Sequence, residues 1–212
     1  MVVSKKRMSS RMVSKQQQLR WLQEGRGQGQ LDTYKPFLNV RDNKSLTERS
    51  SRVYGYKTQR THHLFSDLEL ALFLALDRIQ DIEDIREQIP LDLETTVQIA
   101  EDLKIPHPIE QNVHQIITST FFIVNHSPLK PPCFVVKALK STHLELKRTI
   151  AQLELERRYW EQKNIPWFLF TEKDISPTAI DNIKWLYPLN KVNNDIYTFS
   201  KMDFYQNYFL QK

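Results

Sequence analysis

The chain has 212 residues, 40% hydrophobic and 26% charged, with a formal net charge of +5. This is the composition of a soluble globular protein with room for one good core, or a core plus a small appendage. No apolar run approaches the roughly 18 residues of a membrane span, and no apolar stretch follows the basic opening MVVSKKRMSS. No signal peptide or membrane contact is therefore read, and a cytoplasmic protein is expected. The single Cys133 excludes an internal disulfide and a cysteine metal cluster.

Charge is unevenly distributed. Residues 1–66 carry fourteen Lys/Arg against four acids, a net of +10, which leaves the other 146 residues at −5. A basic arm ahead of a mildly acidic body points to contact with a polyanion, most simply DNA phosphates; a solvated arm is the plain alternative. Residues 1–18 are polar, basic and Gln-rich, and read as mobile. Three of the four glycines form the cluster Gly25-Arg26-Gly27-Gln28-Gly29. It is not a phosphate loop, because no strand precedes it and no GK[ST] follows. Spacing alone favours a flexible linker over a backbone that passes close to a DNA groove. Residues 41–52 read as another polar loop.

The core begins near Ser66, where Ser66-Asp67-Leu68-Glu69 forms a capping box. The helix behind it, LELALFLALDRI, is apolar almost all round and should be buried. Residues 82–90 read as a strand closed by Pro90, and 95–104 as a short surface helix followed by a His/Pro loop. TSTFFIVN (118–125) and CFVVKAL (133–139) read as adjacent strands joined by a Pro-rich turn. A long amphipathic helix spans about 144–164, with Leu146, Ile150, Leu153 and Leu155 among its apolar positions. IPWFLFT (165–171) is a buried strand, and Ser176-Pro177 opens a last helix to about Tyr187. The order α-β-α-β-β-α-β-α predicts an α/β fold, a mixed sheet flanked by helices. A short aromatic helix over 202–210 would dock on the core or plug into a partner.

Restriction-endonuclease-like enzymes of the PD-(D/E)xK class use that order. A helix supplies one carboxylate, one strand an aspartate, and the next strand an acid or amide followed two residues later by a lysine. The acids hold Mg²⁺, which lowers the pKa of a water and neutralises phosphate charge. Glu69 fits the helix role, although its spacing alone favours the capping role. Lys137 interrupts an apolar strand, where a charge is costly without a partner. It is equally readable as an active-site lysine or as an edge charge.

The segments LQEGRGQG (22–29), RVYGYKTQRTHHLFSDLELALFL (52–74), DIREQIPL (84–91), LELERRYWEQKNIPWFLFTEKDISP (153–177) and NIKWLY (182–187) resemble the TnsA family. Its members are endonuclease subunits of heteromeric transposases, including CRISPR-associated ones. The resemblance covers roughly residues 20–188. It implies a Mg²⁺-dependent nick at the 5′ ends of the transposon, a TnsB-like transposase that cuts the 3′ ends, and a TnsC-like AAA+ ATPase. Double-stranded DNA would be the substrate.

Carried over residue by residue, the resemblance keeps Glu69 and Lys137 as catalytic candidates, Glu69 also as a metal ligand, and Glu156 as a supporting acid. The family's metal-binding aspartate falls at Phe121, and its glutamine two before the lysine falls at Val135. A further acid falls at Ile79, with Asp77 close by. Between Leu103 and Leu144 the only carboxylate is Glu110, in a loop before the strands. Impaired Mg²⁺ binding and lost cleavage are therefore expected. The alternative is an active nuclease with a rebuilt site. Arg26, Gln28, Lys57, Arg60, His62 and His63 are candidate DNA-binding residues. The two histidines are structural or DNA-facing and, as neighbours on a strand, unsuited to chelating one ion. The expected organisation is a basic, partly flexible arm (1–50), a TnsA N-terminal-type domain (51–190), and a short aromatic tail (191–212) where the family has a second domain.

Overall fold

The structure is a computed structural model that describes residues 13–42 and 49–187. Four strands form the central sheet: β3 (Ile82–Pro90), β6 (Thr118–Asn125), β7 (Cys133–Ala138) and β8 (Trp167–Phe170). They lie in the order β3-β6-β7-β8, antiparallel except for the parallel β7–β8 pair. Two small hairpins stand outside it: β1 (Ser51–Gly55) with β2 (Arg60–Leu64), and β4 (Ile109–Glu110) with β5 (Val113–His114).

Helices cover both faces. On one face α2 (Asp67–Leu76) and α5 (Pro177–Leu186) pack over Ile85, Phe121, Ile123, Val136 and Ala138. On the other, α3 (Leu93–Leu103) and α4 (Lys147–Gln162) pack with Leu91, Ile117, Phe122 and Val135. The two-residue alternation of a strand divides neighbours between these layers. Phe121 and Ile123 therefore point towards α2, while Phe122 points towards α4. The parallel step from β7 to β8 requires a crossover, and α4 supplies it.

Local chemistry explains the helices. Ser66 Oγ accepts from Glu69 N at 3.0 Å to open α2, whose apolar surround buries eight of its ten residues. Asp92 Oδ2 accepts from Thr95 N at 2.8 Å to open α3, and Lys104 at φ 54 closes it. On α4, Leu155, Tyr159 and Trp160 face the sheet, while Arg157 and Arg158 pair outward with Glu154 and Glu161. No helix of the described residues is long and apolar enough to cross a membrane.

Two sequence expectations are corrected. The described part of the polar arm is not loose: α1 (Lys15–Gln23) is capped by Ser14 and docked on the body. Its Gln18 is 4% exposed; Gln18 Nε2 donates to His114 O (3.1 Å) and Gln18 Oε1 accepts from Ile116 N (2.8 Å), as a strand backbone would. The glycine cluster is not a linker either. Gly27 sits at φ 83, and a Cβ there would collide with the Pro90 ring, so only glycine lets this turn lie against β3. Of the polar run 41–52, the described residues end a 3-10 turn (Val40–Asp42) and, from Ser51, begin β1. The aromatic tail, including the expected helix 202–210, lies outside the described residues.

Candidate functional site

Lys137 is brought to the α4 side of the sheet. Its Nζ donates to Thr118 O at 2.7 Å and pairs with Glu156 Oε2 at 3.1 Å. Glu156 is 1% exposed, and its Oε1 accepts from Trp167 Nε1 at 3.1 Å, so each of its oxygens has a donor. This pair opens onto a cleft of about 390 Å³. One wall is the stretch 115–118 with Lys137 and Leu139; another is the α4 face carrying Arg148, Thr149 and Gln152. α1 and the segment after it close the third side through Gln18, Trp21 and Phe37. Glu110 also lines the cleft, 3.8 Å from Arg148, whose side chain is 62% exposed. Sequence reading left Glu110 in a loop and did not single out Arg148 or Gln18. Only the fold joins residues this far apart in the chain.

The other candidate positions lie elsewhere. Glu69 Oε2 accepts from Phe65 N at 2.8 Å, the residue before the N-cap Ser66, and so ties the start of α2 to its lead-in; Glu69 is not in the cleft wall. Phe121, fully buried, stacks 6.4 Å from Phe73 in the α2 layer, directly across from Val136. Val135, also fully buried, lies in the α4 layer beside Leu155 and Tyr159. The structure thus brings Lys137, Glu156 and Glu110 to one cleft and divides Phe121 and Val135 between opposite faces of the sheet. Asp77 is used structurally: it accepts from Tyr56 N (3.1 Å) and Lys57 N (3.2 Å), tying the β1–β2 hairpin to the end of α2.

A divalent-metal site on the strand pair does not fit these residues. Mg²⁺ needs hard oxygen ligands, and neither β6 nor β7 carries a carboxylate. Among the described residues no group of three or more His, Cys, Asp or Glu could hold a metal ion.

Comparison with known proteins supplies the family. A TnsA-like endonuclease N-terminal family matches residues 80–172, the span that contains all four sheet strands with α3 and α4. The transposon Tn7 transposition protein TnsA of Escherichia coli is 46% identical over 169 residues, 79% of this chain and 61% of that protein. The chain belongs to the TnsA family. It spans about 61% of the length of that relative.

In this TnsA-family chain, two of the residues read as DNA-facing, Arg60 and His62, are buried with partners in the body, and Arg26 is half-buried. Arg60, 8% exposed, forms a two-pronged pair with Glu87, which is fully buried (Nη1–Oε1 2.9 Å, Nη2–Oε2 2.6 Å). His62, fully buried, lies 2.7 Å from the same Glu87 Oε2 through Nδ1 and 2.7 Å from Thr58 Oγ1 through Nε2. Burial pushes the Glu87 carboxyl up, but His62 and Arg60 outweigh it and hold it well below the usual carboxylate range. Arg26 bonds Asp42 (2.5 Å) and Phe37 O (3.2 Å) and covers the Trp21 ring at 4.6 Å. His63 points the other way from His62; its Nδ1 accepts from Val40 N at 3.2 Å, and burial lowers its pKa. Lys57 is half-buried, and burial pulls its pKa down. Gln28 is exposed on the glycine turn.

Proposed function

We propose that this chain is the TnsA-type subunit of a heteromeric DNA transposase that keeps its place in the assembly and has lost metal-dependent cleavage. One observation carries the reading: the carboxylate beside Lys137, Glu156, is buried and bonded on both oxygens, and the flanking strands offer no other acid. Phosphodiester hydrolysis of this class needs an ion to generate hydroxide and offset phosphate charge. Lys137 instead spends its charge on Glu156. Arg148, at the exposed lip, is the residue of the cleft best placed to meet a DNA phosphate. Transposon-end DNA, a TnsB-like transposase and a TnsC-like ATPase are the partners this reading assigns.

The consequence lies in the product. With 3′ ends cut and 5′ ends left joined, transposition yields cointegrates rather than simple insertions. Long-read sequencing of insertions made with the complete transposition system distinguishes them. Cointegrates as the main product support the proposal, and simple insertions that depend on this subunit overturn it.

A second reading, an active endonuclease making 5′-end nicks, draws on Glu110, which shares the cleft with Lys137 and Glu156. It requires that Glu110→Gln abolish a nick that the native chain makes.

A further inference from the structure

The β1–β2 hairpin has an inner and an outer face. Inside, Val53 and Leu64 join the α2 layer, and His62 packs 4.3 Å from Phe73. Outside, strand alternation sets Arg52 opposite His63 and Tyr54 opposite Thr61. Arg52, Tyr54 and Thr61 are exposed and His63 is half-buried. None of the ion pairs among the described residues engages Arg52. Its guanidinium is left to solvent, on a ribbon that is itself firmly held. Tyr187 Oη donates to Tyr54 O at 2.8 Å, and Asp77 accepts from Tyr56 N and Lys57 N in the turn.

The hydrogen-bonding groups on this face are fixed. His63 Nδ1 accepts from Val40 N at 3.2 Å, so the neutral ring carries its hydrogen on Nε2. Burial lowers the His63 pKa, which makes it an uncharged donor at neutral pH. Tyr54 Oη donates to Gln59 Oε1 at 2.8 Å, and its exposed ring offers apolar contact. The middle of the face thus holds one cation and three neutral side chains, a set suited to base edges more than to phosphates. The ends differ. Exposed Arg49 precedes β1 and Lys57 sits in the turn, where flanking phosphates would pass. Residues 49–66 hold four Lys/Arg and no Asp or Glu. Two acids, Glu24 and Asp32, share the hollow beside Thr61 and His63, and Glu24 is held by Arg20 and Arg26. The dimensions agree with a groove. A DNA major groove is about 12 Å wide and admits a two-stranded ribbon. These strands lie about 4.8 Å apart and run about 17 Å.

We propose that the outer face of the β1–β2 ribbon seats in the major groove of duplex DNA, with Arg52 forked onto a guanine edge and His63, Thr61 and Tyr54 beside it. This groove contact rests on the reading of the chain as a DNA-transposase subunit, and it lies on a face other than the Lys137 cleft. The segment 36–39 joins the two: Phe37 and Leu38 line the cleft, while Pro36 and Asn39 line the hollow beside the ribbon.

The full chain, assembled with its transposase partner on transposon-end duplex, provides the test. p-Benzoylphenylalanine in place of Tyr54 should crosslink to the duplex on irradiation. The same group in place of Phe168, exposed on the edge strand β8, should not. Arg52→Ala should weaken recruitment to the duplex about 5–150-fold and expose a guanine N7 that the native complex protects from methylation. Arg52→Lys keeps the charge without the fork and should stay weak. Native affinity in Arg52→Lys marks a phosphate contact only and overturns the proposal, as does a crosslink no stronger from position 54 than from 168. Arg148→Ala separates the two faces. A loss there with none in Arg52→Ala keeps the cleft contact and overturns the ribbon. The converse keeps the ribbon and takes DNA off the cleft, and no loss in either overturns both.

Discussion

Single residues account for most of what the fold adds to the sequence. Arg60 and His62 lie in a stretch whose resemblance to the TnsA family suggested DNA contact, and nothing local in the sequence buries them. Their partner Glu87 lies on another strand, 27 and 25 residues away. Removing it leaves Arg60 buried without its counter-charge. Glu87→Gln should cost about 3–5 kcal/mol at neutral pH, measured by urea unfolding. The sign in acid follows from its depressed pKa. The stabilisation is full above the unfolded value of about 4.3 and drains by about 1.4 kcal/mol per pH unit below it. The gap between native and Glu87→Gln should therefore narrow as pH falls from 4 to 3; a constant gap would count against the network. Phe121 behaves differently. It is a fully buried ring in the α2 layer, not a vacant ligand position. Phe121→Asp should lower stability by more than about 3 kcal/mol, from lost packing and a buried charge. A stability loss under about 1 kcal/mol would place that position nearer solvent than the fold does.

At the level of elements, the helices and sheet strands after Ser66 were legible because their signals are local. The Ser66 and Asp92 caps, Pro177 at the first helical position, and the apolar runs of β6 and β7 each act within a few residues. The observed bounds lie within three residues of the expected ones. α1 was not legible, because KQQQLRWLQ has little apolar stripe and one of its two buried residues, Gln18, is polar. Gln18 docks by completing backbone hydrogen bonds, and that role depends on β5 and the lead-in to β6, about a hundred residues away. Gln18→Ala leaves Ile116 N without this acceptor and should cost about 1–3 kcal/mol. Hydrogen exchange should show the α1 amides losing protection ahead of α4; equal protection in the variant would show that α1 is held by something else.

The whole molecule is a sheet whose two faces carry different inheritances. The α2 face holds the capping glutamate Glu69 and the aromatic Phe121. The α4 face holds Lys137, Glu156 and the cleft, closed by a segment whose sequence reads as a loose arm. The family was readable from motifs spread along the chain. The geometry around Lys137 was not, because it depends on which face each strand residue takes and on Glu156 reaching Lys137 across 19 positions of sequence. A lysine held between a buried carboxylate and a backbone carbonyl is a settled structural pair. It holds one wall of the cleft, and β6 and β7 carry no acid beside it.

The most direct test is a nicking assay on labelled transposon-end duplex, with this chain assembled with its transposase and ATPase partners in Mg²⁺ or Mn²⁺. The account predicts 3′-strand cleavage by the partner and no 5′-strand nick above the level given by Lys137→Ala. A 5′ nick that requires divalent metal and disappears with Lys137→Ala or Glu156→Gln would contradict it.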